Sequence, residues 1–396
     1  MSSLQKNILK SKLSPEALNL ISGKSCKARA LQRKRDYDPV QWTPYFDESK
    51  DIIIGDNTFH YYSGGNDGPT LVLLHGGGYS GLTWAEFTKS ISSMIVCKIL
   101  AIDLRGHGDT HTTDDEDLSA ETLAKDVAEI INIVCKDNPV ILIGHSMGGA
   151  VAVRASPLLK NLVGLTIIDV VEGTAMDALA SMQSFLRSRP SSFLSVPQAI
   201  EWCVRSGQIR NLMSAKISVP GQIKNIQSNK LATHDIEDYI TNATNHDDQN
   251  SSHSIEREDV IQEDTILEEA ASDDETNTTT LQPPKNSVVL NNKKYAWRID
   301  LAKTERHWSG WFKGLSSAFL DIPAPKMLLL AGVDRLDREL TVGQMQGKFQ
   351  MQVLPACGHA VHEDVPDKVA EAIATFVVRN KFAEPASDFE RTFPVC

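Results

Sequence analysis

The chain has 396 residues, of which 41% are hydrophobic and 6% aromatic, and it carries a formal net charge of −11 at pH 7. This length and composition allow a sizeable buried core and predict one large domain or two ordinary ones. No run approaches the roughly 20 apolar residues of a membrane span, and the first residues lack the apolar segment of a secretory signal. A membrane protein and a secreted protein are therefore not expected, and we predict a soluble protein of the cytoplasm.

The negative charge is concentrated in one segment of the chain. Residues 246–275 hold 12 acidic residues and one basic residue, which leaves 39 of the 51 acidic and 39 of the 40 basic residues elsewhere. A neutral body without a basic stripe gives no reason to predict nucleic-acid binding. The six cysteines are scattered without paired close spacing, so neither a disulfide framework nor a zinc site is predicted.

Residues 1–35 form a polar, basic arm without sustained periodicity, and we predict that it is disordered. Its short basic run at residues 33–35 is interpreted as a solvated tail, with a weak nuclear signal as the alternative. Folding is predicted to begin near Tyr37, so that residues 36–396 contain the folded domain.

Within this domain, short apolar runs alternate with amphipathic stretches of helix length. Such alternation indicates buried parallel strands joined by crossover helices, and hence an α/β fold with a mostly parallel central sheet and helices on both faces. The predicted strands are residues 58–62, 70–74, 99–104, 140–143, 162–170, 327–331 and 349–354.

A glycine-rich turn, His75-Gly76-Gly77-Gly78, follows the predicted strand at residues 70–74. Glycine lets the backbone approach a substrate closely, and such a turn typically supplies one N–H group to an oxyanion hole. Gly77 and Gly78 are both candidates, and the sequence does not separate them. His75 is predicted to hold the turn by hydrogen bonds.

The strand at residues 140–143 runs directly into Gly144-His145-Ser146-Met147-Gly148 and then into a helix of small residues. This pattern in this setting is typical of a nucleophile elbow, a tight turn that presents a serine hydroxyl above the sheet. We predict Ser146 as the nucleophile. The backbone N–H of Met147, at the helix N-terminus, is predicted to stabilise the developing oxyanion.

Asp103 and His107 lie between these two motifs and resemble a catalytic pair. Enzymes with this elbow place the acid and the histidine after the nucleophile in the chain, whereas these two residues precede it. We therefore predict that Asp103 and His107 brace loops.

Two segments after the elbow interrupt the strand pattern. Residues 175–224 carry apolar residues at helical spacing and are predicted to form a cap of short helices, broken at Pro190 and Pro197. Residues 228–290 are rich in Asn, Ser, Thr, Asp and Glu, which predicts a disordered acidic insert. An acidic docking segment that folds on a basic partner is the alternative for this insert.

The general base is expected near the C-terminus, after the last predicted strand. His359 follows a glycine there and is predicted to take the proton of Ser146 and return it to the leaving group. His362 is the alternative, and we interpret it as a surface or supporting residue. For the acid, Asp169 and Asp334 each end a predicted strand. Strand-end habit favours Asp334, and the residue patterns alone leave the choice open.

Three longer strings resemble the protein phosphatase methylesterase family, whose members have the α/β-hydrolase fold. They lie at residues 168–178, 201–211 and 358–364, and the likeness extends from about Arg33 to the C-terminus with the acidic insert as its main gap. The resemblance implies an α/β-hydrolase catalytic domain over residues 36–396. It also implies a triad, which maps onto Ser146, Asp169 and His359.

The resemblance implies a serine carboxylesterase that needs no metal or organic cofactor. Its expected substrate and partner is the methylated C-terminal tail of the catalytic subunit of protein phosphatase 2A, whose leucine methyl ester is hydrolysed through an acyl-enzyme. Neither nucleic acid nor a membrane is an expected partner. Two alternatives stay open, namely a general carboxylesterase or lipase acting on small esters, and a mainly stoichiometric inhibitor that binds the phosphatase.

Overall fold

The computed structural model describes residues 36–247, 294–332, 336–386 and 389, and the structural statements below concern these residues. The predicted N-terminal arm, most of the predicted acidic insert and Asp334 lie outside them. From Tyr37 onward the described residues belong to one compact unit.

Most strands of the described ranges join one central sheet. The strands are β1 (Glu48–Ile54), β2 (Asn57–Gly64), β3 (Thr70–Leu74), β4 (Lys98–Ile102), β5 (Val140–His145), β6 (Leu162–Ile168), β7 (Ser192–Phe193), β8 (Ile223–Asn225), β9 (Tyr295–Trp297), β10 (Lys326–Leu330) and β11 (Gln350–Val353). Eight of them pair in the order β1-β2-β4-β3-β5-β6-β10-β11, and all pairs from β4 to β11 are parallel. The predicted mostly parallel sheet is therefore confirmed.

The first two strands differ from the prediction. β1 was not predicted, and β2 pairs antiparallel with both β1 and β4 rather than parallel. β1 begins Glu48-Ser49-Lys50-Asp51 and lies at the sheet edge with exposed and half-buried residues. Only its last three residues, Ile52-Ile53-Ile54, are apolar, and Ile53 is exposed. This run is too short to indicate a strand in the sequence.

Helices cover both faces of the sheet. They are α1 (Ala85–Ser92), α2 (Ala120–Val134), α3 (Met147–Ala155), α4 (Glu172–Ser188), α5 (Val196–Arg205), α6 (Leu212–Ser218), α7 (Ala232–Asp247), α8 (Glu305–Phe312), α9 (Leu315–Asp321), α10 (Arg338–Met345), α11 (Val361–Asp364) and α12 (Pro366–Arg379). Among the described residues, no helix is long and apolar enough to cross a membrane.

Side chains alternate between two cores along each buried strand. In β3, Val72 and Leu74 pack with α2 and α3 on one face, whereas Leu71 and Leu73 pack with α1 and α12 on the other. Burying each such side chain contributes roughly 1.5–3 kcal/mol. The sheet is thus a rigid layer, and its strand ends are fixed platforms for side chains.

The predicted cap contains strands as well as helices. α4, α5 and α6 are joined by a small sheet in the order β7-β9-β8, and β9 comes from the chain beyond the acidic insert. Pro190 follows α4, but Pro197 lies in the first turn of α5, where proline is favoured, so it begins that helix instead of breaking it.

The predicted acidic insert begins too early. Disorder was expected from residue 228, whereas α7 occupies Ala232–Asp247. The first residue of α7, Ala232, is fully buried, His234 Nε2 lies 2.8 Å from Asp109 Oδ1, and Glu237 accepts a 2.7 Å hydrogen bond from Trp42 Nε1. These long-range side-chain contacts anchor a helix whose polar composition alone indicated a loop. Residues 248–293 lie outside the described ranges.

Candidate active site

Ser146 stands on a strained turn between β5 and α3. Its backbone dihedral angles are φ 52° and ψ −118°, and its N–H donates to the Ile168 carbonyl at 3.0 Å. A Cβ atom added to Gly144 would lie 2.2 Å from the Gly148 carbonyl oxygen, and one added to Gly148 would lie 2.3 Å from the Leu74 carbonyl oxygen. Only glycine therefore fits on either side of this turn, which holds the serine hydroxyl at the sheet's edge.

Gly144→Ala is expected to destabilise the protein by about 3 kcal/mol or more, because a methyl group would have to displace backbone atoms of α3. The free energy of unfolding in urea measures this loss. Gly310→Ala in α8 is the matched control, since an added Cβ there meets no atom within 4 Å. The control should be neutral or slightly stabilising. Equal effects at the two positions would contradict the tight elbow.

The structure brings Ser146, Asp169 and His359 together in one hydrogen-bonded chain. His359 Nε2 lies 3.0 Å from Ser146 Oγ, and His359 Nδ1 lies 2.7 Å from Asp169 Oδ2. A carboxylate can only accept, so the Nδ1–H donates to Asp169 and Nε2 is left to accept the serine proton. Ser146 follows β5, Asp169 follows β6 and His359 follows β11, so three strand ends position the three groups.

Asp169 is held on both sides by the sheet. Its own N–H donates to the Leu329 carbonyl at 2.7 Å, and its Oδ1 accepts the Ala331 N–H at 2.9 Å. Burial opposes the charged form, but the hydrogen bonds from His359 and Ala331 and the electrostatic attraction to the imidazole outweigh it and lower the pKa of Asp169. The carboxylate therefore stays ionised at neutral pH and can stabilise an imidazolium. Asp334, the other predicted acid, lies outside the described residues.

Two further histidines support His359 from below. His145 Nε2–H donates to the His359 carbonyl at 2.7 Å, and the His145 ring lies 4.5 Å from the ring of His362. His362 is fully buried, with Nε2 3.0 Å from Thr83 Oγ1, so a surface position is wrong and the supporting interpretation agrees with the contacts. Burial lowers the pKa of His362 to about 3 and that of His145 well below its usual value, so both rings are neutral.

The structure separates the two glycine candidates for the oxyanion hole. The Gly78 N–H donates to His107 Nε2 at 2.8 Å, and His107 Nδ1–H in turn donates to the Arg105 carbonyl at 2.8 Å. Because its proton is already engaged, Gly78 is not an available oxyanion donor, and that candidate is corrected. Gly77 and Met147 remain, and both line the pocket beside Ser146.

The other residues of the glycine-rich turn and the following motif brace loops. His75 Nδ1–H donates to the Gly76 carbonyl at 2.8 Å, and His75 Nε2 accepts the Leu104 N–H at 3.0 Å. Asp103 accepts the Asp109 N–H at 3.0 Å and the Gly81 N–H. Together with His107, these side chains fix the turn that carries Gly77.

A pocket of about 380 Å³ opens over Ser146 and His359. Its walls are mostly apolar and come from the strand ends, α4, the short 3₁₀ turn before α8 and α8 itself, namely Val170, Val171, Ala175, Ala178, Met182, Phe185, Leu186, Leu301, Trp308, Trp311 and Phe312. The two tryptophans and Phe312 therefore serve both as core, being at most 3% exposed, and as pocket wall.

Four polar pocket residues were not predicted from the sequence: Tyr79, Thr174, Arg189 and Gln208. They lie in separate segments that only the folded cap brings together. Tyr79 directly follows the glycine-rich turn and Gln208 lies within residues 201–211, but neither motif indicates that these side chains line the pocket.

Comparison with known proteins places this chain in a family. The model of the alpha/beta hydrolase family matches residues 71–220 and 257–372. Protein phosphatase methylesterase 1 of Mus musculus and that of Homo sapiens are each 55% identical over 375 residues, which cover 92% of this chain and 91% of the relative. The Schizosaccharomyces pombe protein of the same name is 35% identical over 374 residues, with 91% of each chain covered.

Solved structures share the fold at low sequence identity. E-2-(Acetamidomethylene)succinate hydrolase superposes with a TM-score of 0.58 at 16% identity and covers 84% of this chain and 99% of its own. An esterase from Mycobacterium tuberculosis gives a TM-score of 0.52 at 18% identity, covering 82% and 89%. The fold and the extended identity to the methylesterases agree, and we conclude that this chain is a carboxylic ester hydrolase that belongs to the protein phosphatase methylesterase family.

Proposed function

We propose that this protein removes the methyl ester from the C-terminal leucine of the catalytic subunit of protein phosphatase 2A, with Ser146, His359 and Asp169 as its catalytic triad. The observation that carries the mechanism is the unbroken hydrogen-bonded chain from Ser146 Oγ through His359 to Asp169 Oδ2. The names of the relatives, which are methylesterases of protein phosphatases, support the substrate.

In the first step, Ser146 Oγ attacks the ester carbonyl carbon while its proton passes to His359 Nε2, 3.0 Å away. Negative charge develops on the carbonyl oxygen, where the N–H groups of Gly77 and Met147 stabilise it. One such donor typically contributes about 3 kcal/mol to the transition state. The C–O bond to the methoxy group then breaks, His359 protonates the leaving group, and methanol departs from the acyl-enzyme.

In the second step, water attacks the acyl-enzyme carbonyl and gives a proton to His359 Nε2. The bond to Ser146 Oγ breaks, the serine recovers its proton from the imidazolium, and the carboxylic acid leaves and releases its remaining proton to solvent as the free carboxylate. Asp169 stabilises the imidazolium in both steps through its 2.7 Å hydrogen bond to Nδ1. The carboxylate does not itself need to accept the proton.

The pocket suits the acyl part of this ester. Methanol is small, so nearly all of the recognition must come from the leucine side and the residues before it. The apolar walls from α4 and α8 can bury an aliphatic side chain next to Ser146.

Incubation with the C-terminally methylated phosphatase catalytic subunit tests this function. Mass spectrometry of the C-terminal peptide should show loss of the methyl group with the wild-type protein and none with Ser146→Ala. Hydrolysis of generic small esters without action on the methylated subunit would contradict the proposed substrate. Stable binding of the subunit by both proteins without demethylation would contradict the catalytic role and favour the inhibitor alternative.

A further inference from the structure

Arg189 places a positive charge in the mostly apolar wall of the active-site pocket. It is the first residue after α4, and its guanidinium carbon lies 3.7 Å from the centre of the Trp297 ring. Trp297 is itself fixed, because its Nε1–H donates to the Pro190 carbonyl at 2.8 Å and its ring packs edge-on against Phe193 and Trp202. The guanidinium is therefore held in place by stacking.

No carboxylate neutralises this cation in the part of the chain that the structure describes. Arg189 Nε is buried and has no hydrogen-bond acceptor there. Burial lowers the pKa of Arg189. The ionisable neighbours that raise this pKa are Cys203 and Tyr79, neither of which is a carboxylate. An arginine remains charged in proteins, so burying it without a counter-ion costs free energy. A bound anion would offset this cost.

Gln208 adds a hydrogen-bond acceptor without a donor to the same pocket. Its Oε1 is buried without a hydrogen-bond donor, while its Nε2 reaches Gln222 Oε1 only at 3.5 Å. Buried polar atoms are nearly always paired in folded proteins. A missing acceptor at Arg189 and a missing donor at Gln208 match a peptide, which offers N–H groups and acidic side chains, better than a lipid or a small neutral ester.

We propose that Arg189 binds a side-chain carboxylate of the peptide that carries the ester, so that the enzyme selects acidic peptides. This inference rests on the proposed function, because it takes the substrate to be a peptide ester. The carboxylate belongs to the acyl side, since the methoxy leaving group carries no charge. The planar guanidinium can donate two parallel hydrogen bonds to it, and Gln208 Oε1 can accept a peptide N–H.

The test uses short peptides that end in leucine methyl ester, with aspartate at one of the three preceding positions or with asparagine in its place. Each peptide is measured as a substrate and, separately, as a competitor of p-nitrophenyl acetate hydrolysis. At one position, wild type should favour aspartate by about ten- to a hundredfold in kcat/KM and in the inhibition constant. Arg189→Met should lose this preference, and Arg189→Lys should keep part of it.

Arg187→Met is the matched control, because Arg187 lies in the last turn of α4, two residues before Arg189, is exposed and does not line the pocket. It should keep the wild-type preference. The competition measurement tests the carboxylate site even if no peptide ester is hydrolysed. Absence of peptide ester hydrolysis would count against the proposed function alone.

Two results would overturn the carboxylate site. The first is equal binding, by the wild-type enzyme, of the aspartate and asparagine peptides at all three positions. This measurement does not depend on the folding of any variant. The second is an Arg189-dependent preference for a free terminal acid over a terminal amide, which would place the product carboxylate at the guanidinium instead of an acidic side chain.

Discussion

Ser146→Ala is expected to lower kcat for ester hydrolysis by at least about 10⁴-fold, because the covalent step disappears while the pocket remains. In the proposed mechanism Ser146 is the only triad member that forms a bond to substrate, and its Oγ lies 3.0 Å from Nε2 of His359, the proposed base. Initial rates with p-nitrophenyl acetate and with a leucine methyl ester peptide measure the loss. KM should change little, since the removed hydroxyl contributes mainly to the transition state.

Ser93→Ala provides the comparison for this experiment. Ser93 is an exposed residue just after α1, and its hydroxyl donates only to the Ser90 carbonyl. That variant should retain wild-type activity. A Ser146→Ala protein that keeps more than a few per cent of wild-type kcat, after purification from any contaminating esterase, would refute the nucleophile assignment.

Asp169→Asn is expected to lower kcat by about 10⁴-fold, the loss typical of replacing the triad carboxylate by an amide of the same shape. An amide cannot stabilise the imidazolium by charge, and it can present an N–H to His359 Nδ1, which favours the tautomer with the proton on Nε2. The Ala331 N–H that bonds Asp169 Oδ1 can still find the amide oxygen, so the fold should persist. Steady-state kinetics with unchanged melting temperature would identify a catalytic effect.

Asp334→Asn is the decisive companion, because the sequence offered Asp334 as the other acid. It is expected to reduce kcat far less than Asp169→Asn. The opposite ranking, with Asp169→Asn near wild type and Asp334→Asn strongly impaired, would transfer the acid role to Asp334. Comparable losses in both variants would show that the catalytic histidine depends on two carboxylates.

The features that the sequence predicted well are those encoded in contiguous residues. The interior strands are short apolar runs, and the elbow requires Gly144 and Gly148 beside Ser146 because any side chain there collides with backbone. His359 follows the last strand of the sheet, as expected for this chain order. In each case the structural requirement acts on neighbouring residues and is therefore visible in a short stretch of sequence.

The features that the sequence missed depend on partners far along the chain. Gly78 is an ordinary oxyanion candidate until His107, 29 residues later, takes its N–H. The composition of α7 indicates a loop, and the contacts with Asp109 and Trp42 that stabilise its first turns as a helix come from residues far away in the sequence. The position of Arg189 in the pocket depends on its contact with Trp297, which follows the acidic insert in the sequence. A reading of local patterns does not contain such pairings.

The strand pairing of β6 with β10, and of β9 with β7 and β8, joins the chain before residue 248 to the chain after residue 293. The proposed nucleophile Ser146 and acid Asp169 belong to the earlier portion, whereas the proposed base His359 belongs to the later one. Neither portion alone contains a working reaction centre. Ester hydrolysis therefore requires that the two portions be paired through these strands. A change that weakens the strand pairing would abolish activity even if the reacting groups were unchanged.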